Sequence, residues 1–172
     1  MGQINNEFGM KWLYTIIVLM LAVQLQAQND APFKKNPVLP DFQIRKLDST
    51  LFFRSKLPAG KPVVLVYFSP ECGHCQNEAK ALADSLALVD KAVYLWVSFH
   101  PLPAIATFAK QYQLIDRPQI IFGRDEAYTL PSYFKVRYLP FVVVFNAKHQ
   151  IVQVYEGGAY VREIAEQLQH LP

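Results

Sequence analysis

The sequence predicts an α/β fold built on a central mixed β-sheet with helices on both faces. Three runs carry this expectation: "VVLVYF" at 63–68, "VYLWVSF" at 93–99 and "FVVVF" at 141–145. Each is continuously apolar and rich in β-branched or aromatic residues, the pattern of a strand covered on both sides. Between them, apolar residues recur at helical spacing, and such alternation points to a layered α/β architecture.

The chain has 172 residues, the size of one domain. Its 52% hydrophobic and 13% aromatic content can fill a core without help from disulfides. A net charge of +3, dispersed along the chain, gives no footprint for nucleic acid. No internal repeat or low-complexity tract is visible.

The N-terminus has its own character. An apolar run from Trp12 to Val23 follows Lys11, and Gln24, Gln26 and Gln28 follow it around Ala27. A charged start, a short apolar stretch and a small residue describe a secretory signal peptide over residues 1–27. Met10-Lys11 makes a more usual start for it than "MGQINNEFG". The run is shorter than the ~20 apolar residues of a membrane span, and no cysteine lies nearby to carry a lipid. The mature protein is therefore expected in the periplasm or outside the cell, meeting the membrane only through its signal. Residues 28–41, "QNDAPFKKNPVLPD", are polar with three prolines and read as a linker or an extended lead-in.

The remaining elements follow in order. "FQIRKL" from Phe42 reads as a short strand, "PAGK" at 58–61 as a turn, and Val63–Phe68 as a strand that Pro70 ends. From Cys75, the residues Ala79, Leu82, Ala83, Leu86 and Val89 mark a helix. After the strand at Val93–Phe99, Ile105, Phe108, Ala109 and Tyr112 mark another. "RPQIIFGRDE" holds a short apolar run, and Ala127–Phe134 reads as a brief helix despite Pro131. "FVVVF" and "IVQVY" form a hairpin across "NAKH". Gly157-Gly158 then break the chain before a helix with Val161, Ile164, Ala165 and Leu168 inward. The order is β-α-β-α-(β)-α-β-β-α.

Both cysteines stand at the first strand-to-helix junction, in "YFSPECGHCQNEAK" at 67–80. As a staple, a bridge across two residues closes a tiny loop and removes little entropy from the unfolded chain. As a metal site, Cys72 and Cys75 need further ligands; His100 or His149 are candidates, while no second CxxC or closely paired histidine is present. His170, near the C-terminus, is expected to be exposed. As a redox pair, Cys72 at the start of a helix meets unpaired N–H groups and the positive end of the dipole, which favour thiolate. Cys75, one turn in, is expected to face it from a shielded position. A strand–CxxC–helix junction is a redox signature.

"KPVVLVYFSPECGHCQNEAKAL" resembles the active-site segment of thioredoxin-fold proteins, and is most similar to exported TlpA/ResA-type thiol–disulfide oxidoreductases. The likeness covers about Phe42 to Leu168 and is supported by Lys61-Pro62, by Glu78 three residues after Cys75, and by "YFKVRYLPFVVVFN". It implies a thioredoxin-like fold with an N-terminal hairpin extension over 42–172. It also implies Cys72 as nucleophile, Cys75 as resolving thiol, Pro140 as the cis-proline that docks substrate backbone, and Leu139 as the position tuning substrate choice.

Departures from the family are informative. Thioredoxin and protein disulfide isomerase resemble each other in a buried acid six residues before the first cysteine; here that position is Val66. Glu71 and Glu78 are nearby, but neither has the spacing to replace it. Glu71 also stands where tryptophan is usual, and Lys80 where proline is frequent. His74 gives the tetrapeptide CGHC, similar to protein disulfide isomerase. It is expected to stabilise the Cys72 thiolate and raise the potential above thioredoxin's. Tyr67, Tyr133 and Tyr138 are candidates for a substrate groove.

Other chemistries occur on the same fold. Copper-handling proteins of this fold use a cysteine pair and a remote histidine. Peroxidases of the fold resemble one another in Pro-x-x-x-Thr/Ser-x-x-Cys, a pattern "SPECGHC" does not reproduce. A non-catalytic binding module with a vestigial pair is a third. The expectation is an exported monomer exchanging disulfides with protein dithiol or disulfide substrates. It needs no cofactor beyond the redox-active Cys72–Cys75 pair, and a partner protein must reset it.

Overall fold

In the computed structural model, residues 10–20, 31–88 and 90–171 are described. Helix α1 (10–20) is exposed along its length. Among the described residues, no helix is long and apolar enough to cross a membrane. The expected cleavage region around Ala27 and Gln28 lies outside them.

Seven strands form one sheet: β1 (Gln43–Lys46), β2 (Leu51–Phe53), β3 (Val63–Tyr67), β4 (Val93–Ser98), β5 (Ile120–Arg124), β6 (Phe141–Phe145) and β7 (Ile151–Glu156). Their spatial order is β2-β1-β5-β4-β3-β6-β7. The central β3, β4 and β5 are parallel, while β6 runs antiparallel to β3 and β1 antiparallel to β5. This is a thioredoxin-like α/β fold. The hairpin extension is β1–β2, and it joins the main sheet where Arg45 faces Arg124.

The two-residue alternation of a strand divides β3 between two cores. Val64, Val66 and Phe68 face one side with Cys75, Ala79 and Leu82; Val63, Leu65 and Tyr67 face the other with Phe42, Ile44 and Phe134. Helices α3 (Gly73–Asp84), α4 (Leu102–Gln111) and α6 (Val161–Gln169) supply the first core. Helix α5 (Thr129–Phe134) and the chain from Leu39 to Leu57 supply the second. Pro131 sits at the third residue of α5, in the first turn, where its missing N–H costs no hydrogen bond. Gly123 on β5 lets the Ile44 side chain pack against the strand: a Cβ there would stand 2.6 Å from Ile44 Cδ1.

Two expectations change. Residues 31–41 pack onto the domain instead of standing off as a linker. There a short helix, α2 (Pro32–Lys35), leads to Leu39, which is fully buried. The Leu39 N–H donates to the His149 carbonyl and the Ile151 N–H to the Pro37 carbonyl, both near 2.9 Å (2.9 and 2.8 Å). The helix beginning at the cysteines ends at Asp84, and Leu86–Leu88 is a 3-10 turn, so the apolar spacing runs on past the helix.

Candidate active site

Parallel β3, β4 and β5 end at one edge of the sheet, and antiparallel β6 begins there. The loops at this edge carry Ser69–Cys72, Phe99–His100, Asp125–Tyr128 and Tyr138–Pro140. Cys72 is the N-cap of α3, half-buried, with extended backbone (φ −82, ψ 117). Cys75 is fully buried in the first turn, and both cysteines are free thiols. The Cys72 thiol donates to the Leu139 carbonyl at 3.6 Å. The Leu139–Pro140 peptide is cis, and the fold brings Leu139 to the Cys72 sulfur across 67 chain positions.

Burial, chiefly, pushes the Cys75 thiol well above its ordinary range; its hydrogen bond with Cys72 adds to this, and the charge of Glu78 contributes last. That charge points to Glu78, which the sequence reading weighed and set aside as lacking the spacing to replace the missing acid. Glu78 is 7% exposed. Burial raises its carboxyl to about 7, against a hydrogen bond from Ala159 that lowers it. The Ala159 N–H donates to Oε2 at 3.1 Å, and Oε1 is buried without a partner. Glu78 has no place in the strand where family acids sit. It reaches the pair from the helix, three residues after Cys75 and on the same face. That spacing was the available signal. Tyr94, on β4, is also buried with an unpartnered hydroxyl; burial and the Glu78 charge hold its phenol well above the usual range.

His74 is exposed in the first turn of α3 and lines, with Asn77, Glu78, Tyr160 and Glu163, a cleft of about 600 Å³. Val66 is buried between Trp96 and Val142 of the neighbouring strands. The tyrosines separate. Tyr138 is 65% exposed, two residues before Pro140. Tyr67 is buried on the sheet face opposite the cysteine helix, and Tyr133 bonds the Asn36 and Val38 carbonyls, so neither lines a groove at Cys72.

The histidines separate too. His149 lies in the β6–β7 connection at the far end of the sheet from Cys72, and His170 caps the end of α6. His100 is half-buried at the cysteine edge, its Nε2 3.1 Å from Ser69 Oγ. Among the described residues, no three His, Cys, Asp or Glu side chains are grouped to hold a metal ion. Ser69 also bears on the peroxidase pattern. It occupies the hydroxyl position three residues before Cys72, while Leu65 stands where the proline belongs.

Comparisons with known proteins follow this geometry. The sequence model described as the AhpC/TSA family matches residues 36–165. No curated protein matches the chain significantly. Among solved structures, it is similar to a secreted Mycobacterium tuberculosis disulfide oxidoreductase homologous to E. coli DsbE (20% identity, TM-score 0.63, covering 76% of this chain and 96% of that one). It is also similar to the peroxidoxin BcpB from Mycobacterium tuberculosis (20%, 0.65, covering 77% and 94%). A third is Arabidopsis thaliana ScoI with copper bound (13%, 0.60, covering 77% and 98%). Three different chemistries are thus named on one fold, and the residues must choose between them.

Proposed function

The chain belongs to the AhpC/TSA family, a thioredoxin-like redox family, and from that premise we propose that it is an exported thiol–disulfide oxidoreductase acting on proteins. One arrangement carries the reading: the half-buried Cys72 thiol at the N-cap of α3, backed by buried Cys75 and Glu78 and facing the cis Leu139–Pro140 peptide. Cys72 stands at the N-terminus of α3, where backbone N–H groups lack helical partners.

In the reducing direction, the Cys72 thiolate attacks a client disulfide, whose S–S bond breaks as one client thiolate leaves. Cys75 then loses its proton and attacks Cys72 Sγ, releasing the second client thiol and forming the Cys72–Cys75 disulfide. The client gains two electrons and the pair loses two. Glu78, near neutral pKa and acting on Cys75 from the same helix face, is placed to take the Cys75 proton. Leu139 and Pro140 offer backbone to the client. His74 tunes the thiolate, and a partner protein returns the pair to its starting state. The reverse steps oxidise a client dithiol. Export is supported by the apolar N-terminal run; a mature N-terminus near Gln28, found by mass spectrometry, is the expected result.

A peroxidase reading draws on Ser69 and on the family. The two are separated by one set of variants. Cys75→Ser should trap client proteins on Cys72 as reductant-sensitive adducts, and Cys72→Ser should abolish insulin reduction. If Cys75→Ser traps nothing while the reduced protein consumes hydrogen peroxide through Cys72, the peroxidase reading replaces ours.

A further inference from the structure

The turn that presents Cys72 is held mostly by its own atoms. The Cys72 N–H donates to the Ser69 carbonyl at 3.1 Å, the Glu71 N–H to Ser69 Oγ at 3.3 Å, and Gln76 Nε2 to the Pro70 carbonyl at 2.9 Å. Ser69 Oγ also reaches out of the turn, to His100 Nε2 at 3.1 Å, across 31 chain positions and in the loop after a different strand.

His100 is itself well anchored. Its N–H donates to Ser98 Oγ at 3.2 Å, and Ser98 is fully buried. The Phe99 ring lies 4.4 Å from the imidazole and stacks on Tyr128 at 5.6 Å. Arg124 Nε donates to the Phe99 carbonyl at 3.2 Å. Pro101, the N-cap of α4, fixes the chain immediately beyond. The platform at the end of β4 therefore reaches, through His100, the Ser69 hydroxyl that accepts the Glu71 N–H in the turn before Cys72.

We propose that His100 is a positioning residue for the reaction at Cys72, fixing through the Ser69 hydroxyl the turn that presents the thiol at the N-terminus of α3. The hydroxyl accepts from the Glu71 N–H and shares a hydrogen bond with Nε2, as donor or acceptor according to the imidazole tautomer. The favourable field of a helix N-terminus falls off within one turn. A turn free to shift moves the sulfur out of that field, so both reactivity and potential depend on the tether. The inference rests on the oxidoreductase reading, and names a residue that never touches the client.

The test measures the pair directly in the purified protein, without a client. His100→Leu should slow iodoacetamide alkylation of Cys72 about threefold to tenfold, the range one hydrogen bond supports. It should lower the equilibrium constant for oxidation of glutathione by a similar factor; fivefold corresponds to about 20 mV. His100→Gln, which keeps a group able to accept from the serine, should restore both. Ser69→Ala should reproduce the loss, and the double variant should add nothing to it. If His100→Leu is folded and leaves alkylation and potential unchanged, or if the losses of Ser69→Ala and His100→Leu add in full, the proposal is wrong. Those results would leave the oxidoreductase reading intact. That reading fails separately, and takes this proposal with it, if wild-type protein forms no Cys72–Cys75 disulfide in glutathione buffers.

Discussion

Glu78 Oε2 accepts the Ala159 N–H at 3.1 Å, while Glu78 Oε1 lies buried with no partner. A carboxyl half satisfied in this way is comfortable protonated and uncomfortable charged, which is why burial raises it from 4.5 to about 7. The same property suits a group that must take a proton from Cys75 and later release it near neutral pH.

The first expected outcome concerns stability. Between pH 4.5 and about 7 the folded chain holds a proton on Glu78 that the unfolded chain has lost, so stability falls as pH rises through that window. The full loss, reached above the folded pKa, is on the order of 3 kcal/mol. Glu78→Gln removes it. Urea unfolding should show the variant matching wild type near pH 4 and exceeding it by about 1–3 kcal/mol at pH 8.5. A constant difference across that range would mean the carboxylate is solvated.

The second concerns rate. Glu78→Gln cannot accept the Cys75 proton, so release of a mixed disulfide from Cys72 should slow by about tenfold or more. Alkylation of Cys72 should change little. Stopped-flow of a fluorescent mixed disulfide separates the two; equal slowing of both steps would place Glu78 with Cys72 instead.

The third tests the loop that feeds Glu78 its hydrogen bond. Gly158 has φ +122, and a Cβ there would lie 3.1 Å from Glu78 Oε2 and 3.5 Å from Pro140 Cγ. Gly158→Ala therefore meets backbone strain and two site residues together. A loss of about 1–3 kcal/mol in urea unfolding is expected, with a shifted pH dependence of mixed-disulfide release. Wild-type stability would show that the loop relaxes without cost.

Strands β3, β4 and β6 are legible in the sequence because both of their faces are covered, which leaves continuous apolar runs. Strand β2 is not: Leu51–Phe53 is three residues long, and only its pairing with β1 defines it. Cys72 and Cys75 announce themselves by spacing, and the Pro140 position by resemblance. Glu78 is noticed in the sequence but set aside, because a helical glutamate is ordinarily a solvated one; its burial depends on α6 and the Gly158–Ala159 loop closing over it. His100 is hidden for a different reason. Its partner Ser69 lies in the loop after β3, and only the pairing of β3 with β4 brings the two loops side by side. Residues 31–41 look like a linker since their polarity and prolines are visible, while the backbone hydrogen bonds that dock them to the β6–β7 hairpin are not.

The fourth outcome concerns His74. A histidine in the first turn of α3, two residues from Cys72, adds a donor or a charge where thiolate forms. Removing it should destabilise the reduced form and make the pair more reducing. His74→Ala is expected to lower the potential in glutathione equilibration by about 30 mV, the value of one tenfold change. An unchanged potential would leave His74 as a solvated surface residue.

The last concerns Tyr94, whose hydroxyl is buried, unpartnered and close enough to Glu78 to feel its charge. A buried hydroxyl without a partner has already lost its water and gained nothing in return, at a cost of about 1–3 kcal/mol. Phenylalanine keeps the ring in the core that holds Val64, Cys75 and Trp96 and removes only the oxygen. Tyr94→Phe should therefore be as stable as wild type or more stable by up to about 1 kcal/mol. The contrary result is equally definite. A loss above about 1 kcal/mol, with a further rise in the pH at which Glu78 titrates, would mean that a buried water joins the phenol to Glu78 Oε1. Tyr94 would then belong to the proton path of Cys75.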